Sequence, residues 1–113
     1  MRRGEIWTVA GGSDYAGKPR PAVILQDDRF DATASITICA FTTDPTDAPL
    51  FRPLILASAD NGLHAACRLM ADKVTTVPKT KVRTRIGHLG QEDVLRLNRA
   101  LLVFLGLAGP ASS

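Results

Sequence analysis

Gly17-Lys-Pro-Arg-Pro-Ala-Val-Ile-Leu-Gln-Asp-Asp28 (GKPRPAVILQDD) sets an arginine between two prolines and follows it at once with a run apolar enough to be core. Pro19 and Pro21 each fix their own φ, and Pro21 also turns Arg20 away from helical backbone values. The stretch therefore reads as a loop that feeds a strand from Pro21 to Gln26. That run is continuously apolar instead of alternating, which predicts a strand buried on both faces. A cation stands, stiffly held, at the mouth of a core strand.

Outward from this block the chain is a string of short strands. Glu5 to Ala10 (EIWTVA) is rich in β-formers. Gly11-Gly12-Ser13-Asp14 breaks it, and the loop runs on to Pro19. Asp27 to Ala34 is a polar loop, and Ser35 to Thr43 (SITICAFTT) is a third strand of strong β-propensity. Asp44-Pro-Thr-Asp47 is turn chemistry. Leu50 to Ala57 is a fourth strand, which Pro53 pushes toward an edge or a bulge. After the turn Asp60-Asn61-Gly62, Cys67 to Val77 is a fifth strand, bent near Ala71-Asp72. From Gln91 the pattern changes: Val94, Leu97, Leu101 and Leu105 recur at helical spacing. Glu92 and Asp93 fall in the first turn, where the helix dipole favours anions, and Gly106, Gly109 and Pro110 close it. The tail Pro110 to Ser113 is expected to fray. Strands punctuated by turns and one closing helix predict a mainly β (α+β) fold, a small and strongly curved antiparallel sheet or barrel with the helix packed on it.

The 113 residues suffice for one domain with one core, here 1–113. An apolar content of 45% with 22% charged residues excludes a disordered chain. No apolar run reaches the roughly 18 residues of a membrane span, and MRRGEIW lacks the apolar stretch of a secretory signal. Cys39 and Cys67 are far apart in apolar contexts and read as buried, reduced thiols, which places the protein in the cytoplasm. The formal net charge is +3, with positive charge gathered at Arg2-Arg3, at Lys18 and Arg20, and most densely in Lys79-Thr-Lys-Val-Arg-Thr-Arg85. This suits a polyanionic partner, although taken alone the last cluster reads as a solvated surface segment.

Several residues could carry chemistry. Arg20 is either a preorganised clamp for a phosphate, whose oxygens match the guanidinium fork, or an exposed arginine beside a turn. Thr42 and Thr43 end a strand where hydroxyls can reach a loop-built site, and threonines end strands often. Asp14 is a loop acid that serves as a base or simply forms a turn. Asp72-Lys73 interrupts an apolar strand, as a functional edge or a bulge would. His64 and His88 are the usual acid–base candidates, but both lie beside turns and read as loop residues. No metal motif, phosphate-cradling glycine loop or serine elbow is present.

RGEIW, GSDYAGKPRPAVILQ, CAFTT and LMADKVTTVPK, with the final helix and its LGL ending, together resemble the MazF/PemK family of toxins from toxin–antitoxin modules. The resemblance covers nearly the whole chain, and the RPAVILQ block is its most specific part. It implies a small SH3-like antiparallel β-barrel with a C-terminal helix and short additional helices, usually as a homodimer. It implies a sequence-specific endoribonuclease that cuts single-stranded RNA without a metal or other cofactor, inhibits translation and growth, and is neutralised by an antitoxin with a flexible acidic tail. The family's catalytic arginine falls on Arg20, its catalytic threonine on Thr42, and the acidic loop residue of some members on Asp14. Lys18, Gln26, Asp27, Thr43, Asp72 and Lys73 are the expected RNA-binding set. This chain departs from the pattern in three places: Asp14 stands where glutamate is frequent, Pro19 is an added residue before the arginine, and Lys73 stands where glutamine is common.

The implied reaction is attack by the neighbouring 2′-hydroxyl, which leaves a 2′,3′-cyclic phosphate and a 5′-hydroxyl. Arg20 would stabilise charge on the phosphate oxygens, and Thr42 would hydrogen-bond the phosphate or orient the hydroxyl. The loops Gly11–Pro19, Asp27–Ala34 and Asp44–Pro49 are the expected readers of RNA, with Tyr15, Phe30 and Phe51 available for stacking. Two other readings stand beside this one: a non-enzymatic, CcdB-type toxin of similar fold that binds a topoisomerase, and an inactive module that binds RNA or a partner.

Overall fold

The computed structural model describes residues 1–11 and 18–108; Asp14, Tyr15 and the tail from Gly109 lie outside the described residues. Among the described residues six strands, β1 (Glu5–Val9), β2 (Arg20–Ile24), β3 (Ser35–Thr42), β4 (Leu54–Ile55), β5 (Cys67–Pro78) and β6 (Val82–His88), form one antiparallel sheet in the order β4-β5-β3-β2-β1-β6, followed by helix α1 (Gln91–Phe104). Asp28–Phe30 and Lys79–Lys81 are single turns of 3₁₀ helix.

The connection from β5 to β6 forces the sheet to curl. In a flat sheet these strands would lie four strand spacings apart, roughly 19 Å. The four residue steps from Pro78 to Val82 reach at most about 14 Å. The sheet therefore rolls up, and Val77 and Val82 come together with Val9, Ala22, Ile24, Ile36 and Ile38 in the core on its inner side. Ile6, Val23, Cys39, Phe41, Ile55 and Leu69 form the second core on the other side, where Leu97 of α1 covers them. The result is a curled six-stranded half-barrel closed by one C-terminal helix. Ala22, Val23 and Ile24 are all buried, as the unbroken apolar run of β2 predicts.

The structure departs from the sequence reading in four places. The segment Lys79–Arg85 lies at the surface as read, but it holds the start of a strand that was not expected, edge strand β6. His88 consequently ends a strand instead of lying in a loop, and only His64 lies in one. The fourth strand shrinks to Leu54–Ile55, because Pro49 and Pro53 remove ladder donors around it. Leu105, counted in the helical stripe, sits just past α1 and is 58% exposed, while Val94, Leu97 and Leu101 pack on the core. Gly106 follows with φ 74°, the left-handed value that ends a helix.

The turn before β5 is built around Asn61, a buried polar side chain. Its Oδ1 accepts from Ser58 N–H and Leu63 N–H, and its Nδ2 donates to the Leu56 carbonyl. Gly62 has φ 69°, and a Cβ there would lie 2.1 Å from the Ile86 carbonyl oxygen, so the turn and β6 touch backbone to backbone.

Candidate active site

Register places the two residues expected to be catalytic at the same end of neighbouring strands. Val9 pairs with Arg20, and Ala22 of β2 pairs with Ala40 of β3. The β2–β3 ladder ends at that pair; continued by two residues, its register would set Arg20 level with Thr42. Thr42 pairs on its other side with Arg68, and Arg68 with Leu54. Val9 pairs outward with Val82. Paired residues share a face, so the row Val82, Val9, Arg20, continued along that register, leads to the row Thr42, Arg68, Leu54. The adjacency of Thr42 and Arg68 depends on the β3–β5 register, which sequence reading of β5 alone did not supply.

Two concavities flank this row. Arg20 and Lys73 line a cleft of about 240 Å³, whose floor includes Val9, Ile38, Ala40 and Met70. Thr42 and Thr43 line a second hollow of about 200 Å³ with Asp44, Leu54 and Arg68. Thr42 does not line the first; Ala40, which does, precedes it by two residues on the same face of β3. Thr42 Oγ1 accepts from the Asp44 N–H at 3.1 Å. One lone pair is thereby occupied, and the hydroxyl proton is left to donate. Asp44 is held in turn: its Oδ1 accepts from Thr46 Oγ1 at 2.7 Å and Thr46 N–H at 2.9 Å. These bonds, with the charges of Arg52 and Lys73, hold the Asp44 carboxyl below the usual carboxylate range.

Lys73 reaches the cleft because β5 bulges. Cys39 pairs with Val74 and Phe41 with Leu69, so Ala40 alone faces Met70, Ala71, Asp72 and Lys73. The bulge is tied down by a bidentate ion pair in which Arg52 Nε and Nη2 donate to the two Asp72 carboxylate oxygens at 3.0 Å each. Both side chains are largely shielded from water. The Arg52 hydrogen bonds hold the Asp72 carboxyl low, and Asp72 raises the Arg52 guanidinium in return. Asp72, expected to contact RNA, thus has both oxygens engaged within the protein.

Other expected contacts are similarly occupied. Gln26 Nε2 donates to the Phe30 carbonyl and Thr33 Oγ1, and its Oε1 accepts from Thr37 N–H. Asp27 accepts from Arg29 N–H and caps the first 3₁₀ turn, and that bond holds its carboxyl low. Lys18, Arg20 and Thr43 are exposed. Of the aromatic residues expected to stack on bases, Phe30 is 57% exposed beside the Arg29 guanidinium, whereas Phe51 packs on Phe104. Neither His64 nor His88 lines the cleft or the hollow. Cys39 and Cys67 are free and buried, and burial pushes the Cys39 thiol up to about 12. Among the described residues, no group of three or more His, Cys, Asp or Glu is placed to hold a metal ion, and no helix is long and apolar enough to cross a membrane.

A family model described as PemK-like, MazF-like toxin of type II toxin–antitoxin system matches residues 2–105. A protein of Mycolicibacterium smegmatis named "Probable endoribonuclease MazF" is 56% identical over 109 residues, covering 96% of this chain and 100% of that one. Endoribonuclease MazF9 of Mycobacterium tuberculosis is 32% identical over 117 residues, covering 95% of this chain and 98% of its own. Among solved structures, an endoribonuclease in complex with its cognate antitoxin from a mycobacterial species matches with a TM-score of 0.78 at 22% identity, over 97% of this chain and 99% of that one. That last likeness concerns the fold, and it is the curled half-barrel described above. The chain belongs to the PemK-like, MazF-like toxins of type II toxin–antitoxin systems.

Proposed function

We propose that the protein is a cytoplasmic, sequence-specific and metal-independent endoribonuclease toxin that cuts single-stranded RNA, inhibits translation and growth, and is neutralised by an antitoxin. The observation that carries this reading is that Arg20, first residue of β2, and Thr42, last residue of β3, lie at the same end of neighbouring antiparallel strands. The endoribonuclease relatives support the same activity, and they weigh against the topoisomerase-binding alternative.

In the proposed reaction the 2′-oxygen forms a bond to phosphorus and the bond from phosphorus to the 5′-oxygen breaks. The leaving 5′-oxygen takes up a proton, and the other product is a 2′,3′-cyclic phosphate. Negative charge grows on the non-bridging oxygens. Arg20 stabilises that charge from a backbone stiffened by two prolines, and Thr42 donates its free hydroxyl proton to the same phosphate. A guanidinium keeps its proton near neutral pH and is a poor base, so Asp14 or a water removes the 2′-proton.

The antitoxin is the partner, by likeness to the neighbour solved with its own; an acidic tail that folds on binding would complement the net charge of +3. The homodimer is assigned to the end of α1, where Leu102, Val103, Phe104, Leu105 and Leu107 are between 43% and 70% exposed. The test is incubation of the purified protein with RNA in EDTA. Cleavage is expected, and a substrate with a single 2′-deoxy sugar at the cut site should survive. Intact RNA under these conditions, or equal cutting of the deoxy substrate, overturns the reading.

A further inference from the structure

Thr42 lies on β3 between two strands that each carry an arginine at this end of the sheet, Arg20 on β2 and Arg68 on β5. Arg68 pairs with it across β3 and β5, and its side chain, 18% exposed, lines the same hollow as Thr42 and Thr43. The counter-ion of Arg68 is Asp47, 3.9 Å away on a side chain that is 80% exposed. An ion pair that long, with one partner in water, is weak. Among the described residues the Arg68 guanidinium makes no closer ion pair. A mostly shielded guanidinium with so loose a partner is poised to take another anion, and its planar fork suits a phosphate.

Two strand spacings, roughly 10 Å, separate β2 from β5, the strands that carry Arg20 and Arg68. That spread suits consecutive phosphates of one strand laid across the row, with Thr42 between them. We propose that Arg68 is a second phosphate-binding residue, holding the RNA phosphate next to the one engaged by Arg20 and Thr42, and that Asp47 is the counter-ion released when RNA arrives. The proposal rests on the endoribonuclease reading and adds a subsite to it.

The test compares Arg68→Gln, Arg68→Lys, Asp47→Asn and Glu92→Gln with the full-length chain, in cleavage kinetics and in RNA binding across a salt series. Glu92 is exposed in the first turn of α1, so its variant controls for net charge alone. Arg68→Gln should raise KM about tenfold with kcat within about threefold, since it removes one charge-assisted contact. It should also flatten the dependence of log affinity on log salt by about 0.7, the contribution of one phosphate contact on a single strand. Arg68→Lys should keep the slope, and Asp47→Asn should lower KM two- to threefold, by roughly one released counter-ion, while Glu92→Gln leaves it unchanged. An unchanged slope in Arg68→Gln, a lost slope in Arg68→Lys, or an Asp47→Asn KM no lower than that of Glu92→Gln overturns the assignment. So does a loss confined to binding of an acidic peptide. If the wild-type chain leaves RNA uncut, the endoribonuclease reading itself fails. If it cuts and Arg20→Ala does not, but Arg68→Gln matches wild type, only the Arg68 assignment falls.

Discussion

Replacing Thr42 by valine separates what the hydroxyl does for the fold from what it does for the reaction. Valine keeps the branched shape that β3 favours and removes only the oxygen. The structural loss is one hydrogen bond, from Asp44 N–H at 3.1 Å, in a turn that Thr46 still holds through two bonds to Asp44. One exposed hydrogen bond is worth at most about 1 kcal/mol, which for a chain of this size lowers Tm by no more than roughly 4 °C. The catalytic loss is a donor aimed at developing negative charge, worth about 10²- to 10³-fold in rate. Thr42→Val should therefore melt at most a few degrees lower yet cut RNA at least about a hundred times more slowly, measured well below both melting points. Thr42→Ser, which keeps the hydroxyl, should stay within about tenfold of wild type, the span of one ordinary contact. A folded Thr42→Val protein that cuts at nearly the wild-type rate would refute the role of this hydroxyl.

Asp72→Asn should lower stability at pH 7 by about 1 kcal/mol, allowing for partial solvent screening of the pair. The Arg52 hydrogen bonds hold the Asp72 carboxyl below its unfolded value, so its contribution is present above roughly pH 4 and is lost as pH falls through the folded value; a gap between variant and wild type that persists unchanged at lower pH contradicts the assignment. Leu102→Glu, in the exposed end of α1, should convert a dimer to a monomer in sedimentation, and a wild-type chain that sediments as a monomer contradicts that interface. A thiol reagent at pH 8 should leave Cys39 unlabelled in the native protein and modify it after denaturation, because burial keeps it neutral; rapid native labelling contradicts its burial.

The parts of the fold that were legible from sequence are those where the local pattern and the tertiary environment agree. The run from Pro21 had to be buried on both faces, and the repeat of Val94, Leu97 and Leu101 had to face a core; both do. The interruption at Asp72-Lys73 marked the β5 bulge. Strand β6 was hidden by its charges. Val82, Thr84 and Ile86 alternate with Arg83 and Arg85, and that period of two was the available signal, since charged residues are what protect an exposed sheet edge. Gln26 and Asp27 were legible only as polar residues after a strand; that their groups bind their own loop depends on how that loop closes. Arg68 could not be found without register, because nothing local marks it as the neighbour of Thr42.

The most direct test of the account is the cleavage rate of Arg20→Ala on a defined single-stranded RNA in EDTA, with melting measured on the same preparation. Arg20 is exposed and belongs to neither core, so the variant should stay folded and cut at least about a hundredfold more slowly. A folded Arg20→Ala protein that cuts at the wild-type rate would contradict the claim that this guanidinium, pinned between two prolines, stabilises the phosphate in the transition state.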